Sequence, residues 1–372
     1  MKVVIFSHSI VSDWNHGNAH FLRGIVAELV ARGHEVVVHE PRDGWSRTNL
    51  LADGGEAALA EIHHAFAWMR SVAVPYPDAA TLDLDGALDG ADVVLVHEWN
   101  EPALVAALGA RRAAGGSFRL LFHDTHHRAA TAPEEMARFD LRHYDGVLAF
   151  GEVIRRLYLD RGWCERAWTW HEAADTRVFR PLAADGAVRD LIWIGNWGDG
   201  ERAQELDEFL LAPARRLRLR GTIHGVRYPR RARWAIRRSR LRYRGWLPNH
   251  RAPEVFARHR VTVHVPRRPY VQTLPGIPTI RPFEALACGI PLVSAPWDDA
   301  EALFRPGQDY LVARDAAAMR RCLREVLDDA GLAAELRRCG LETIAARHTC
   351  AHRVDELLAI CRTLGVADEV AA

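Results

Sequence analysis

Lysine is almost absent from this chain of 372 residues, because Lys2 is the single lysine and arginine supplies the rest of the 49 basic residues. A P-loop requires a lysine in its GK[ST] motif, and a pyridoxal phosphate enzyme requires a lysine for the Schiff base. Lys2 stands at the chain start, where it is badly placed for either role. A phosphate site in this protein must therefore use arginine, histidine or backbone amides.

Other absences exclude further classes of protein. The six cysteines are widely spaced and form no CxxC pair, which argues against a disulfide framework or a zinc ribbon. No apolar run of about 18 residues occurs, and the first residues lack a signal-peptide pattern, so we expect a cytoplasmic protein. The net charge of +1 gives no argument for a nucleic-acid partner, and we expect none.

The order of apolar segments predicts an α/β fold. A strand over residues 3–7 precedes an amphipathic helix, and the segment HEVVVHE begins the next strand, which together form a βαβ unit. Its first loop lacks GxGxxG, so a dinucleotide fingerprint is not supported. Further predicted strands lie at residues 92–97, 119–123, 146–150, 190–195, 221–225, 261–265 and 309–312.

Two successive βαβ series predict two doubly wound, Rossmann-like domains that face a cleft, where a ligand is expected. We place the first domain at residues 1–178 and the second at residues 187–355, after a linker. Residues 356–372 form a C-terminal helix that could pack back on the first domain. Amphipathic helices follow Asp315, which is predicted to cap the first of them.

The segment IPTIRPFEALACGIPLVSAP, residues 277–296, predicts a loop, a short helix and a strand. Thr279 can cap this helix, and Gly289 ends it. The helix N-terminus presents free N–H groups and the positive end of the helix dipole, with Arg281 beside them and the Glu284 carboxylate one turn further on. Such an arrangement suits a diphosphate with a sugar diol nearby.

Motifs in shared order along most of the chain resemble the group 1 glycosyltransferases of the GT-B type, and among them the CgeB-like spore-protein branch. The matching pieces are HGNAHFLRGIVAELVARGHEVVV, DGVLAFGEVIRRLYLDRG, EAADTRVFRP, LIWIGNW, YRGWLPNHRAPEVFARHRVTVHVP and IRPFEALACGIPLVSAP. The resemblance implies a GT-B architecture, with an acceptor-side first domain and a second domain that binds a nucleotide sugar.

The resemblance also implies that Glu284 accepts hydrogen bonds from the ribose hydroxyls of the donor. The alternative is a glutamate that merely favours the first turns of a helix. The family often has a second glutamate eight positions earlier, facing the transferred sugar, but this chain has Gly276 there. That departure puts the sugar contact and a retaining mechanism in doubt.

Family members usually hold the donor phosphates with an arginine after the first strand of the second domain and with a lysine. Asn196 occupies the arginine position here, and the domain has no lysine. Neutralising the diphosphate is the main electrostatic task of metal-free transfer, so arginines or amides must substitute. The candidates are Arg202, Arg227 and Arg281, with the amides of Thr279 and Ile280; for each arginine the alternative is a solvated surface residue.

Polar residues after the predicted strands of the first domain form the expected acceptor side. The resemblance places His123 against the donor sugar, where it could orient a hydroxyl or act as a base with a pKa near working pH; the alternative is a strand-end histidine bonded to backbone. Glu98 and Asp124 are the carboxylates best placed to deprotonate an acceptor if the enzyme inverts. His126 and His127 complete an HDTHH cluster without a paired ligand motif, so we predict no metal site.

Two further segments have alternative interpretations. The loop with His16 and Gly17 would bring amides toward the donor phosphates or the acceptor, whereas Asn18 could be a plain helix cap. Trp246 lies where the family contacts the base, or it is a buried core residue. A local run of eight arginines could meet an anionic acceptor or lipid headgroups, or be the wet side of an amphipathic helix: Arg230, Arg231, Arg233, Arg237, Arg238, Arg240, Arg242 and Arg244.

The function predicted from the sequence is transfer of a sugar from a nucleoside diphosphate sugar, which is the donor substrate, to an unidentified acceptor without a metal or other cofactor. An epimerase or hydrolase of nucleotide sugars is one alternative. A donor-binding module without transfer activity is the other, favoured by Gly276, Asn196 and the missing lysine. The sequence leaves open the sugar, the base, the acceptor, the stereochemistry and the oligomeric state.

Overall fold

A computed structural model of the chain describes residues 1–198 and 200–367, and these form two compact units. Unit 1 comprises Met1–Glu172 and the chain from Cys350 onward, and unit 2 comprises Ala173–Thr349. The sequence predicted that the first domain ends at residue 178, that the second spans residues 187–355 and that the last helix begins at residue 356. Each predicted boundary lies several residues C-terminal to the observed one. Residues 368–372 of the expected C-terminal helix lie outside the described residues.

Unit 1 contains a parallel sheet of seven strands in the order β3-β2-β1-β4-β5-β6-β7. The strand order reverses between β1 and β4, so the loops after these two strands diverge at the carboxyl edge, where such sheets bind ligands. The strands are β1 Lys2–Phe6, β2 Glu35–Pro41, β3 Ala73–Tyr76, β4 Val93–His97, β5 Arg119–Asp124, β6 Gly146–Ala149 and β7 Ala167–Thr169.

Helices connect these strands, because parallel neighbours require crossover connections. The spacing of the apolar residues in the first of them predicts one buried stripe of Phe21, Leu22, Ile25, Val26, Leu29 and Val30. The first five are buried, whereas Val30 is 42% exposed. The helices are α1 Ala19–Ala31, α2 Trp45–Ala65, α3 Met69–Val72, α4 Leu84–Leu88, α5 Pro102–Ala113, α6 Arg128–Thr131, α7 Pro133–Met136 and α8 Glu152–Asp160.

Unit 2 contains a second parallel sheet, of six strands in the order β10-β9-β8-β11-β12-β13. Its order reverses between β8 and β11. The strands are β8 Arg189–Ile194, β9 Gly221–His224, β10 Leu241–Tyr243, β11 His259–His264, β12 Leu292–Ser294 and β13 Leu311–Val312. The helices are α9 Ala203–Leu206, α10 Ala212–Leu217, α11 Arg230–Arg238, α12 Ala252–Ala257, α13 Arg268–Thr273, α14 Ile280–Ala287, α15 Ala316–Asp328 and α16 Ala330–Arg347.

The last helix, α17 Cys350–Thr363, returns to unit 1. There Asp355 lies 2.6 Å from the guanidinium of Arg32 on α1, and the carbonyl of Arg353 accepts a hydrogen bond of 2.8 Å from the Trp170 indole. In the described part of the chain, none of the helices combines the length and apolar character that a membrane crossing requires.

The predicted fold class, with two Rossmann-like sheets, is confirmed. Each predicted strand is present with ends shifted by at most a few residues, whereas the short strands β3, β7 and β10 escaped prediction. Each of these three lies at an edge of its sheet and has at most four residues, so its apolar pattern is weak. The predicted cap is also confirmed, because the Asp315 carboxylate accepts a hydrogen bond of 2.7 Å from the amide of Ala318.

Candidate functional site

The loop between β1 and α1 is held rigidly at the carboxyl edge of the unit 1 sheet. The buried carboxylate of Glu40, at the end of β2, accepts hydrogen bonds from the amides of Ile10 (2.6 Å) and Val11 (3.1 Å). On the other side, the buried Arg23 donates to the carbonyls of the same two residues and to the Asp13 carboxylate at 2.8 Å. The Glu40 carboxylate thus binds the amides of this backbone, and the Arg23 guanidinium binds its carbonyls. These charge-assisted hydrogen bonds fix the conformation of the loop before any ligand binds.

His16 and Gly17, the two residues of this loop that were predicted to face a ligand, differ in their exposure to solvent. His16 is buried, with its ring 6.2 Å from that of His97, and burial lowers the pKa of His16 well below its ordinary value. Gly17 is exposed. Asn18 stands at the N-cap of α1, but its side chain makes no capping bond, and its amide nitrogen lies 3.2 Å from the Nε2 of His97.

His97 and Glu98 form a buried pair where β4 ends. The His97 Nδ1 lies 3.2 Å from a Glu98 oxygen, and the other Glu98 oxygen accepts from the Thr125 amide (3.2 Å) and hydroxyl (3.0 Å). Burial, and then the nearby Asp124 carboxylate, raises the pKa of Glu98 well above its ordinary value. Burial lowers the pKa of His97. The pair therefore suits two neutral groups in contact better than an ion pair.

Asp124, at the end of β5, is fully buried, and both of its oxygens are bonded within unit 1. One accepts from the Tyr158 hydroxyl at 2.8 Å, and the other accepts from the His126 amide at 2.9 Å. Burial raises the pKa of Asp124 to about 6. The carboxylate thus orients the segment that follows β5, and a titration near pH 6 is expected from it.

Asp124→Asn should change how stability depends on pH. The raised pKa means that the folded protein binds this proton more tightly than the unfolded chain, so ionisation costs stability as pH rises from about 4 to about 6. Over that window, wild-type unfolding free energy should fall relative to the variant by roughly 3 kcal/mol and then level off. Urea denaturation at several pH values measures this difference. Asp160→Asn, at an exposed position, is the control. If the unfolding free energies of wild type and Asp124→Asn change in parallel with pH, the raised pKa of Asp124 is contradicted.

His123 lies next to Asp124 but within an aromatic environment. Its ring centroid is 4.8 Å from Trp170, 5.3 Å from His97 and 6.0 Å from Phe21. Among the described residues, its buried Nε2 has no hydrogen-bond partner. Burial lowers the pKa of His123 to about 3, far from working pH, so a neutral ring that orients a hydroxyl fits this geometry better than a base.

An aromatic rim lies above these buried groups, and sequence reasoning singled out neither its histidine nor its arginine. Trp99 and Trp45 are 42% and 46% exposed, and the His8 ring stands 6.3 Å and 6.0 Å from them. The Arg128 guanidinium packs 4.2 Å above the Trp99 ring. Exposed tryptophans beside buried polar groups form a surface suited to a ring-shaped ligand. Only the fold brings Trp45, on α2, beside His8, which follows β1.

In unit 2, the segment around α14 folds as the sequence predicts, with one correction. The helix runs over Ile280–Ala287, and Gly289 follows it with a positive φ of 64°. Thr279 occupies the N-cap but does not cap through its side chain; its φ of 71° lies in a region that a β-branched residue rarely adopts. Such strain at a helix N-terminus is typical of a binding site.

Glu284 is fully buried one turn inside α14, and its carboxylate pairs with the guanidinium of the partly buried Arg281. A carboxylate at this depth costs stability unless a charge or hydrogen bonds compensate it. The pair thus places a fixed acceptor and a donor together at the start of the helix.

Arg202 lies at the carboxyl edge of the same sheet, after β8. It donates to the carbonyls of Asn196 (2.7 Å) and Val265 (3.1 Å), and it packs 5.2 Å from the Trp193 ring. Burial, followed by the charge of Arg267, lowers the pKa of Arg202 to about 10. The side chain of Asn196 instead supports the backbone, because its oxygen accepts from the Val226 amide at 3.0 Å.

His264, which sequence reasoning missed, ends β11 close to these arginines. Its Nδ1 lies 2.9 Å from the Ser294 hydroxyl, and its buried Nε2 has no hydrogen-bond partner among the described residues. Burial, followed by the charges of Arg202 and Arg281, lowers the pKa of His264 to about 3. Because the Ser294 hydroxyl donates to the Ala295 carbonyl, the neutral His264 ring carries its proton on Nδ1, and its buried Nε2 is an acceptor suited to a ligand hydroxyl beside these two arginines.

The other two predicted donor residues lie further along unit 2. Arg227 is exposed and adopts a positive φ of 61° after β9. Trp246 is half-buried rather than a core residue, so the core alternative is wrong, and its buried indole nitrogen has no partner among the described residues.

Gly276 stands where the family often has a glutamate, and another carboxylate occupies the adjoining space. The φ of Gly276 is 90°, its amide donates to the Asp298 carbonyl at 2.7 Å, and a Cβ at this position would collide with the Glu301 carboxylate. The loop after β12 thus brings Glu301 to the position that lacks a side chain. No sequence signal identifies it, because 25 residues separate the two positions.

Within the described residues, no group of three or more histidine, cysteine, aspartate and glutamate side chains could hold a metal ion. The HDTHH segment accordingly uses its side chains otherwise: Asp124 bonds to Tyr158, and the His127 Nδ1 lies 2.7 Å from the Thr131 hydroxyl.

Solved structures match this fold along nearly its whole length. Sucrose-phosphate synthase from Thermosynechococcus elongatus is 15% identical, with a TM-score of 0.65 over 98% of this chain and 99% of that chain. Alr3699/HepE from Anabaena, solved with UDP and glucose, is 12% identical, with a TM-score of 0.67 over 98% and 100%. An α-glucosyltransferase solved with UDP and a 13-mer DNA is 13% identical, with a TM-score of 0.65 over 97% and 99%. The two Rossmann-like units therefore form a GT-B fold.

The sequence comparison is narrower. Residues 202–359 match the family described as "Glycosyl transferase-like", a stretch that contains Arg202, His264, Arg281, Glu284 and Glu301. A comparison with curated proteins found no match.

Proposed function

We propose that this chain transfers a sugar from a nucleoside diphosphate sugar to an acceptor hydroxyl, without a bound metal. The observation that carries the proposal is a group of three arginines, in which Arg202 and Arg281 lie near the buried ring of His264 and Arg267 lies near Arg202. It lies in the stretch that matches the glycosyl transferase-like family. Unit 2 is then the donor-binding unit, and unit 1 is the acceptor-side unit.

In this proposal Glu284 accepts hydrogen bonds from the ribose hydroxyls, and the arginines neutralise the diphosphate as it leaves. Thr279 and Ile280 add backbone amides at the N-terminus of α14, where the helix dipole favours an anion. Arginine suits this task because its planar fork binds two phosphate oxygens at once. In this proposal arginine therefore replaces lysine in binding the diphosphate, and the neutralisation of its charge is the same.

We further propose that Glu301 supplies the carboxylate that the chain lacks at Gly276. The support is the collision that a Cβ at Gly276 would make with the Glu301 side chain. A carboxylate there could accept hydrogen bonds from hydroxyls of the transferred sugar. This removes one reason to regard the chain as a binding module without activity.

On the acceptor side, we propose positioning roles for Glu98 and Asp124. Both are fully buried, and their oxygens contact residues of unit 1. The acceptor would meet the His8 and tryptophan rim above them, with the buried carboxylates fixing His97 and the segment after β5.

His123→Phe should lower the turnover number about tenfold, because the ring keeps its volume between Trp170 and Phe21 but loses the nitrogen that orients a hydroxyl. The affinity for UDP should change by less than about twofold, since UDP is bound by the other unit in this proposal. Steady-state rates and calorimetric titration measure the two quantities. His39→Phe, at another buried strand histidine of unit 1, is the matched control, and an unchanged rate in His123→Phe would remove His123 from the site.

The proposed reaction is tested by incubating the chain with nucleotide sugars and cell extract. UDP-glucose comes first, since a similar structure was solved with UDP and glucose. Mass spectrometry should find an acceptor whose mass increases by one sugar, and added EDTA should leave the yield unchanged. Conversion of the sugar without an acceptor would favour an epimerase or hydrolase. UDP binding with no converted sugar would favour the binding module.

A further inference from the structure

Arginine is concentrated in one stretch of unit 2. Between Glu208 and Glu254 the chain has fourteen arginines and no aspartate or glutamate, although the whole protein has a net charge of only +1. This stretch runs from α10 through β9 and α11 to β10, which together make one edge of the unit 2 sheet. The proposed diphosphate site does not account for these arginines.

Helix α11 displays the clearest part of this charge. Residues three and four positions apart lie on the same side of a helix, so four arginines surround one tryptophan on its outward side. We call this set the outer face of α11: Arg230, Arg231, Trp234, Arg237 and Arg238. The opposite side carries Ala232 and Ile236, each 1% exposed, which fix the helix to the core of unit 2.

The outer face differs from an ordinary solvated helix surface. Trp234 is 60% exposed, and the Arg238 guanidinium lies 4.5 Å above its ring. In the described part of the chain, no carboxylate forms an ion pair with any arginine of this face. Some other surface arginines are paired, as Arg338 is with Glu335 and Glu342.

The arrangement is unfavourable for the isolated helix. Like charges three and four residues apart repel each other, and Arg230 and Arg231 stand at the positive end of the helix dipole. Exposure of the apolar Trp234 ring to water among these charges does not stabilise the protein. An anionic surface that contacts all five side chains would remove each of these costs.

We propose that the outer face of α11 docks on a membrane surface that contains anionic phospholipids. The arginines bind headgroup phosphates, and the Trp234 indole enters the boundary between headgroups and acyl chains, where tryptophan is favoured. A single-stranded nucleic acid fits less well, because it requires a groove with a series of stacking rings, and this helix surface offers one ring. The inference rests on unit 2 alone and does not require the proposed transfer activity.

Vesicle co-sedimentation tests this docking. The full chain should bind vesicles of phosphatidylcholine with phosphatidylglycerol, bind phosphatidylcholine vesicles far less, and lose binding as salt increases. Arg231→Ser with Arg238→Ser should weaken binding about 25-fold, or about fivefold per arginine. Arg321→Ser with Arg324→Ser, which removes the same charge from exposed positions on α15, should leave binding within about twofold.

A second variant keeps the test independent of charge. Trp234→Gln retains every arginine, and circular dichroism and thermal melts check its fold and that of the arginine variants. It should weaken binding to phosphatidylglycerol vesicles while leaving the melting temperature unchanged. The proposal would be overturned if the chain did not bind these vesicles, or if the α15 control variant lost as much vesicle affinity as the α11 variant. Tighter binding to duplex or single-stranded DNA than to the vesicles at the same salt concentration would also overturn it.

Discussion

Glu284→Gln should weaken the binding of UDP by roughly 10- to 100-fold. The carboxylate is fully buried in the first turns of α14, and its exchange for a neutral amide removes the charge-assisted hydrogen bonds that we propose it accepts from the ribose, each worth about 1.5–3 kcal/mol. Glutamine keeps the volume, so the helix and its core contacts should survive. Calorimetric titration with UDP measures the loss.

Inorganic pyrophosphate separates the ribose contact from an indirect effect on Arg281. It carries the phosphates without a ribose, so its affinity should be nearly the same for the variant and the wild type. Glu325→Gln, on the exposed side of α15, serves as the matched control. If UDP and pyrophosphate weaken together, Glu284 acts by holding Arg281 rather than by binding ribose, and the ribose assignment fails.

Arg202→Lys should lower the rate of sugar transfer by about 10²–10³-fold, with a smaller effect on donor affinity. The leaving diphosphate gains negative charge in the transition state, and a fixed cation aimed at it stabilises that state more than the ground state. Lysine retains the charge but not the fork that bonds the carbonyls of Asn196 and Val265 and thereby fixes the side chain for its proposed contact with the diphosphate. Single-turnover rates with a saturating nucleotide sugar measure the effect.

Arg220→Lys is the control for Arg202, because it makes the same exchange at an exposed position before β9. The loss of transfer rate in Arg267→Lys should be smaller than in Arg202→Lys and larger than in Arg220→Lys. Arg267 lies on the same side of unit 2 as Arg202 but also pairs with Glu201 at 3.3 Å. A normal transfer rate in Arg202→Lys, in a variant that melts like the wild type, would show that the diphosphate is neutralised elsewhere.

Much of the fold could be predicted from local patterns. The buried strands are continuous apolar runs, and α1 has its apolar residues at helical spacing, so both are visible without any contact between distant residues. The Asp315 cap is equally local, because it involves residues three positions apart. The edge strands β3, β7 and β10 lack such a pattern, since a short strand with one neighbour is specified largely by packing.

The candidate site could be predicted only in part. The sequence indicated α14 with Arg281 and Glu284, because both lie in one segment with recognisable ends. It also placed Asn18 and Thr279 at helix N-termini, where both stand, but neither side chain makes a capping bond. The Asn18 amide turns to His97 instead, a contact across 79 positions that no local rule contains.

By itself, the sequence determined the class of fold, the position of the short helix α14 and the absence of lysine from unit 2. These depend on residue type and short-range spacing. Only the tertiary structure decided that Glu301 fills the space beside Gly276, that His264 lies among arginines, and that the pKa of Asp124 is raised to about 6. The physical reason is that burial and electrostatic environment arise from segments that meet only when the chain folds.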